Sequence, residues 1–171
     1  MTMGAACFEE LQVIGTHIAE LEKLSGIKLP EPVKLFLACN PKGNQLIRGS
    51  ARWRMFSLRE LFQIVELRAV QGCRFCLAQM MGSLYSEKRG QPEIEDTSGG
   101  KHPIDRLART MTFAQGAGDL LYLNADDGFS VWVFYSEVGF IEKLAPSLWE
   151  WISSCEARPQ PEYSGQNDEP S

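Results

Sequence analysis

Apolar residues recur every three or four positions in the first quarter of the chain and predict two helices. The stripe of the first helix consists of Phe8, Leu11, Ile14, Ile18 and Leu21, a spacing that places one helical face against a core. Gly26 follows as a stop signal. A second helix begins in Leu29-Pro30-Glu31-Pro32, because proline suits the first helical turn. Its buried face comprises Val33, Phe36 and Leu37, and a turn follows at 40–44.

The centre of the chain predicts a short strand and a third helix. Residues Ala51 to Phe56, around Trp53, form the strand candidate. Ser57 and Glu60 then have the spacing of a capping box, in which each side chain satisfies a free backbone N–H. The apolar face of this helix comprises Leu58, Leu61, Phe62 and Val65.

An insert of about residues 72–103 follows. Phe75 to Tyr85 is apolar and compatible with a helix, whereas Glu87 to Pro103 is polar and rich in glycine and proline. We predict a long loop for the second part, and loops of this length in compact domains are functional or disordered.

The hydrophobic period changes to two after Arg109. Three runs have the composition of strands: Thr110 to Ala114, Asp119 to Asn124 and Ser130 to Tyr135. Ala125-Asp126-Asp127-Gly128 joins the last two and predicts a hairpin. Trp132 alternates with Val131 and Val133, so this strand is expected to be covered on both faces. A closing amphipathic helix, with Pro146 near its start, comprises Leu144, Leu148, Trp151, Ile152 and Cys155.

The element order, helix, helix, strand, helix, insert, strands, helix, predicts an α+β fold with a central antiparallel sheet and helices packed around it. We expect one domain over residues 1–156. The tail at 157–171 has no periodicity and a polar composition rich in proline and glycine, and it is predicted to be disordered.

The composition argues against some classes of partner. The 171 residues carry a net charge of −5, and the chain lacks the clustered basic residues of a nucleic-acid binder. No apolar run is long enough to span a membrane, and the N-terminus has no signal-peptide pattern. The five cysteines are an odd, scattered set, which favours reduced thiols and a soluble cytoplasmic protein.

Candidate catalytic chemistry is sparse. Cys73 and Cys76 form a Cys-x-x-Cys pair without a second pair of zinc ligands, and a thiol-dependent enzyme is retained as the third hypothesis. His17 borders the first apolar stripe and His102 lies in the polar loop, and neither has an evident partner. Gly116-Ala117-Gly118-Asp119 predicts a tight turn in which the aspartate bonds its own backbone. We therefore expect no enzyme, no metal and no cofactor.

The order and spacing of these elements resemble the SUKH superfamily, which includes yeast cell-wall regulators and bacterial immunity proteins. The resemblance covers about Ile14 to Ser153. The residues that carry it are Ile18, Leu21-Glu22, Gly26, Leu29-Pro30, Phe36-Leu37, Asn40, Gly43, Trp53, Leu58 to Leu61, Phe113, Gly116, Gly118-Asp119, Leu123, Val131 to Tyr135 and Leu144-Ala145 to Trp151. The chain departs from the usual Asn-Gly-Gly turn at Asn40-Pro41-Lys42-Gly43, and its insert is longer than expected.

The resemblance implies a cytoplasmic immunity protein that binds and neutralises a cognate protein toxin, for instance a nuclease whose basic cleft meets an acidic surface. The alternative is a non-catalytic scaffold or regulatory interaction module, and homodimer formation stays open. Trp149 lies away from the buried face of the closing helix and is the natural anchor for a partner. The full set of candidate partner-binding residues is Trp149, Trp53, Asp119, Asp126 and Asp127.

Overall fold

The computed structural model describes residues 3–40, 42–61 and 93–158. Helix α1 (Met3–Ser25) and helix α2 (Glu31–Cys39) come first, and helix α3 (Leu148–Ser153) comes near the end. A further helix begins at Leu58 and is described to residue 61. No helix of the described residues is long and apolar enough to cross a membrane.

A seven-stranded antiparallel sheet forms the centre of the described structure. Its strands are β1 (Gln45–Arg48), β2 (Ala51–Met55), β5 (Thr110–Gly116), β6 (Asp119–Asn124), β7 (Ser130–Tyr135), β8 (Phe140–Ala145) and β9 (Glu156–Arg158). Their order across the sheet is β8-β7-β6-β5-β2-β1-β9. A separate two-stranded sheet pairs β3 (Glu93–Glu95) with β4 (Lys101–Pro103), and a 3₁₀ helix (Ile104–Arg109) leads into β5. The predicted α+β fold, with an antiparallel sheet and helices around it, is confirmed.

The central strands are buried on both faces. On one face Val131 and Val133 of β7 join the main core beneath the helices, together with Leu21, Phe36 and Trp151. The other face carries a second apolar cluster, which consists of Ile94, Leu107, Leu120, Tyr122, Trp132, Phe134 and Ile141. The expectation that Trp132 and its neighbours lie in a strand covered on both faces is confirmed.

The capping box is also confirmed. The Ser57 N–H donates to Glu60 Oε2 over 2.8 Å, and the Glu60 N–H donates to Ser57 Oγ over 3.2 Å. The two exchanged bonds fix the point at which β2 ends and the next helix begins.

The predicted loop up to Pro103 is wrong in its described part. Residues 93–103 form the β3–β4 hairpin, which docks on strand β8 through a Thr97 N–H bond to the Ile141 carbonyl of 3.0 Å. His102 is not an isolated loop residue, because its Nε2 lies 2.7 Å from Asp96 Oδ2 and its ring packs edge-on against Trp132. The hairpin was missed because its strands are three residues long and are held by tertiary contacts.

The end of the domain also differs from the prediction. Leu144 belongs to strand β8. Helix α3 begins only at Leu148, and Ser147 caps its start by accepting a hydrogen bond from the Glu150 N–H. Strand β1 was missed. Strand β9 pairs with β1 up to Arg158, so the first two residues of the predicted disordered tail belong to the sheet. Three other predicted features lie outside the described residues: the rest of that tail, the apolar segment Phe75 to Tyr85, and the helix residues Phe62 and Val65.

Gly43 closes the turn between α2 and β1 and has a steric reason to be glycine. Its φ is +74°, in the left-handed region, and a Cβ there would lie 2.5 Å from the Met55 carbonyl oxygen. The Gly43 N–H donates to the Asn40 carbonyl over 3.0 Å. This turn therefore sets how closely β2 approaches the end of α2.

We expect Gly43→Ala to destabilise the protein by roughly 2–4 kcal/mol, since it adds backbone overlap to the strain of a positive φ. Gly49→Ala is the matched control, because Gly49 has φ +61° but a Cβ added there would meet no atom within 4 Å. It should cost about 1 kcal/mol. Urea unfolding of both variants measures the difference, and equal losses would show that the close approach to Met55 has no energetic weight.

Candidate functional site

The candidate residues lie at two opposite ends of the sheet. Strand pairing of Asn124 with Ser130 and of Val131 with Ala145 places the loop at 125–129 and the start of α3 at one end, which we call the α3 end. The pairing of Gly116 with Asp119 places the turn at 117–118 at the other, which we call the Gly118 end. The five predicted residues therefore do not form one site.

Trp149 lies at the α3 end and is exposed, with 45% of its surface accessible. Its neighbours Leu148 and Trp151 are buried in the main core and fix the orientation of the helix. The Ser147 cap holds the first turn. An exposed indole on a short, well-anchored helix offers contact area at little cost in conformational entropy.

Asp126 and Asp127 lie in the hairpin loop, as predicted, and each has a basic partner. Asp126 Oδ1 lies 2.7 Å from Nε of Arg109, and Asp127 Oδ2 lies 2.7 Å from Nζ of Lys143. Asp127 also accepts hydrogen bonds from the Ser130 hydroxyl and the Trp132 indole. The loop is thus braced by charge pairs, and its negative charge is largely balanced locally.

The hydrogen bonds at Asp127 determine its protonation. Partial burial by itself would raise the pKa of this carboxyl, but hydrogen bonds from Lys143, Ser130 and Trp132 outweigh it and hold the pKa below the ordinary 3.8. Asp127 is therefore a carboxylate at neutral pH, and its first structural task is to fix the loop.

Asp119 at the Gly118 end does not bond its own backbone, contrary to the prediction. Its Oδ1 accepts the Ser136 N–H over 2.9 Å and so ties the β5–β6 turn to the end of β7. The turn itself is as tight as predicted, since Ala117 and Gly118 both have positive φ, 49° and 94°, as two-residue hairpin turns of the mirror-image type require.

Trp53 is a core residue and not an exposed anchor. Only 7% of its surface is accessible, and it belongs to the main core. The edge of its ring lies beside Gly116, where a Cβ would be 3.0 Å from Cε3 of Trp53 and would overlap the Arg52 carbonyl oxygen. Part of Trp53 lines a pocket.

That pocket has a volume of about 390 Å³ and lies where β1, β2 and β5 meet. It is lined by Gln45, Arg52, Trp53, Arg54, Gln115, Gly116, Ala117 and Gly118. Its polar residues were not predicted from the sequence. The available signal was the alternation in β2, where Arg52 and Arg54 flank Trp53 and so share the face opposite the core.

Within the described part of the chain, no group of three or more His, Cys, Asp or Glu side chains could hold a metal ion. His102 and Asp96 form a close pair, but they hold the β3–β4 hairpin against Trp132. The exposed side chain of His17 lies on α1. Cys73 and Cys76 lie outside the described residues, so the thiol hypothesis stays a prediction. The arrangement is suited to binding a partner through an exposed aromatic and oriented charges.

Comparison with protein-family models finds a match to the SMI1/KNR4 family (SUKH-1) over residues 16–154. The matched range includes the whole seven-stranded sheet except its last strand, and all of α3. A search of curated proteins finds no match.

We expect Asp127→Asn to destabilise the protein by about 1 kcal/mol at pH 7, a modest figure because the carboxylate is 40% exposed and water screens its charge. The folded-state pKa is lowered, so the contribution is complete above the unfolded pKa near 3.8, begins to decrease below it, and is lost as the pH falls through the folded-state pKa. Urea unfolding at pH values from 7 to 3 should show a constant gap between variant and wild type down to about pH 4 and a narrowing gap below it. Glu137→Gln, at an exposed turn, is the control, and a pH-independent gap would contradict this account.

Proposed function

The chain belongs to the SMI1/KNR4 family (SUKH-1), and on that premise we propose that it is a cytoplasmic immunity protein. In this role it binds a cognate protein toxin and occupies the surface that the toxin needs for its activity. The exposed Trp149 on the anchored helix α3 is the observation that most directly supports a protein partner.

An exposed tryptophan of this kind is costly to leave in water and is enriched among residues that dominate binding energy. Polar groups at the same end of the sheet are already oriented, because Arg109 and Lys143 hold the two loop aspartates. An aromatic side chain on an anchored helix, with fixed polar groups at the same end of the sheet, loses little freedom on association, and this supports tight binding.

A nuclease is the proposed class of toxin. The net charge of −5 favours a basic partner, and a nuclease needs a basic cleft for its phosphate substrate. Charge complementarity of this kind speeds association and suppresses wrong partners. The paired state of Asp126 and Asp127 limits what these two residues add, so the aromatic contact is expected to carry more of the affinity than the acidic ones.

Co-expression with the product of the adjacent gene tests this proposal. We expect growth to be rescued when that product is toxic, with rescue lost when this chain is omitted. The control is co-expression with an unrelated nuclease toxin, which should stay lethal. A harmless neighbour, or toxicity that this chain does not change, would overturn the immunity role, and recovery of a regulatory assembly by affinity purification would then favour a scaffold.

We expect Trp149→Ala to weaken binding to the toxin by about 2 kcal/mol, roughly 30-fold, without loss of folding stability. Leu35→Ala is the matched control, because Leu35 is another exposed apolar side chain, 56% accessible, on a different helix. Isothermal titration calorimetry measures both affinities. Equal affinities for wild type and Trp149→Ala would exclude the α3 end as the binding surface.

A further inference from the structure

We propose that the pocket at the junction of β1, β2 and β5 binds an acidic side chain of a partner protein. The pocket is separate from the Trp149 surface, which lies beyond the opposite end of the sheet. The binding chemistry follows from the pocket's own residues. Only the identity of the partner rests on the proposed function.

Strand register lines up the polar residues of the pocket. Gln45 of β1 lies opposite Arg54 of β2, and Arg54 lies opposite Gln115 of β5. Directly opposite residues place their side chains on the same face of a sheet. The three strands thus present a row of two amides around one guanidinium, and all three residues line the pocket.

Arg54 is held in one orientation. Its Nη1 donates to Glu60 Oε1 over 2.6 Å, and its guanidinium lies 5.2 Å from the centre of the Phe56 ring. Glu60 itself is held by the capping box at Ser57. Glu60 balances the charge of Arg54. Arg54 therefore contributes N–H donors of fixed orientation to the pocket.

Arg52 supplies the second positive charge of the pocket. It lies two residues before Arg54, on the same face of β2, and its side chain is exposed at the pocket. Among the described residues it forms no ion pair or side-chain hydrogen bond. A guanidinium without a described partner, beside two side-chain amides, is suited to a carboxylate, which it can bind with two parallel N–H bonds.

Three consecutive small residues also line the pocket. Gly116 has no room for a side chain, because a Cβ would overlap the Arg52 carbonyl oxygen. Ala117 and Gly118 follow it in the tight turn. This segment therefore places no long side chain in the pocket.

A carboxylate of a protein fits this pocket better than a nucleic acid does. Duplex binding depends on several cations that displace counterions from phosphates. The pocket has one arginine, Arg52, without an ion-pair partner among the described residues, on a chain whose net charge is −5. One carboxylate matches this one guanidinium. A single buried acidic side chain of this kind also fixes the register of an interface.

A peptide titration tests the pocket directly. The probe is acetyl-Gly-Glu-Gly-amide, added to the ¹⁵N-labelled full chain and followed by NMR at the Arg52, Gln115 and Gly118 amides. We expect saturable shifts at these positions, and no such shifts with acetyl-Gly-Gln-Gly-amide or in an Arg52→Gln variant whose other resonances are unchanged. Equal responses to the two peptides, no response to either, or a stronger response to a short DNA duplex would overturn the proposal.

The second arm uses the toxin identified by co-expression. We expect Arg52→Glu to weaken binding roughly 30-fold or more, since it places a like charge against the acidic group. Lys28→Glu, at an exposed position between α1 and α2, makes the same change in net charge and should leave the affinity within a few-fold. Wild-type binding that Arg52→Glu does not alter would overturn the pocket as a toxin contact. Absence of wild-type binding would instead count against the proposed function, and the peptide titration would still decide the pocket.

Discussion

Burial of strands β6 and β7 on both faces is the constraint on which the rest of the structure depends. Nearly every residue from Leu120 to Leu123 and from Ser130 to Phe134 is inaccessible to solvent. A half-covered antiparallel sheet would need polar residues on its solvent side, whereas the polar side chains within these two stretches, Tyr122, Ser130 and Trp132, are all buried. Each large apolar side chain left in water would forfeit about 1.5–3 kcal/mol. The fold must therefore supply a cover for each face.

The helices provide one cover, and the segment at 93–109 provides the other. Ile94 and Leu107 of this segment belong to the second apolar cluster. Asp96 stabilises the turn of the hairpin by accepting hydrogen bonds from His102, Ser98 and Gly100. These hydrogen bonds lower the pKa of the Asp96 carboxyl well below its ordinary value. The Thr97 bond to Ile141 occupies part of the β8 edge. The hairpin thereby covers the sheet face and protects an edge that would otherwise be open to pairing with other chains.

Local sequence signals predicted the structure well where two of them coincided. The bounds Asp119–Asn124 and Ser130–Tyr135 came from alternation together with the Asp-Gly turn, and the structure has the same bounds. The assignment of Leu144 to the closing helix was wrong. Leu144 has helical spacing with Leu148, but it lies near the end of strand β8. Strands β1, β3, β4 and β9 were missed because they are three or four residues long and exist through pairing with other segments. The six-residue strand β8 was missed because Leu144 was assigned to the closing helix.

The candidate site was less predictable for the same reason. Asp126 and Asp127 were identified as turn residues. The cation that pairs with Asp127 is Lys143, which lies sixteen positions away in the sequence, on strand β8. Similarly, the exposure of Trp149 follows from its position on a helical face, whereas the burial of Trp53 depends on the strands that pair around it. Sequence periodicity indicates which face a residue occupies, and only the assembled sheet determines what lies against that face.

Glu60 shows how the fold connects stability with binding in a single side chain. Its Oε2 closes the capping box with Ser57, and its Oε1 orients Arg54 in the pocket. The same carboxylate therefore caps the start of a helix and orients the Arg54 guanidinium. The contact with Glu60 orients Arg54 within the chain itself, without a partner. Arg52, which no such contact restrains among the described residues, retains the freedom and the charge to meet that partner.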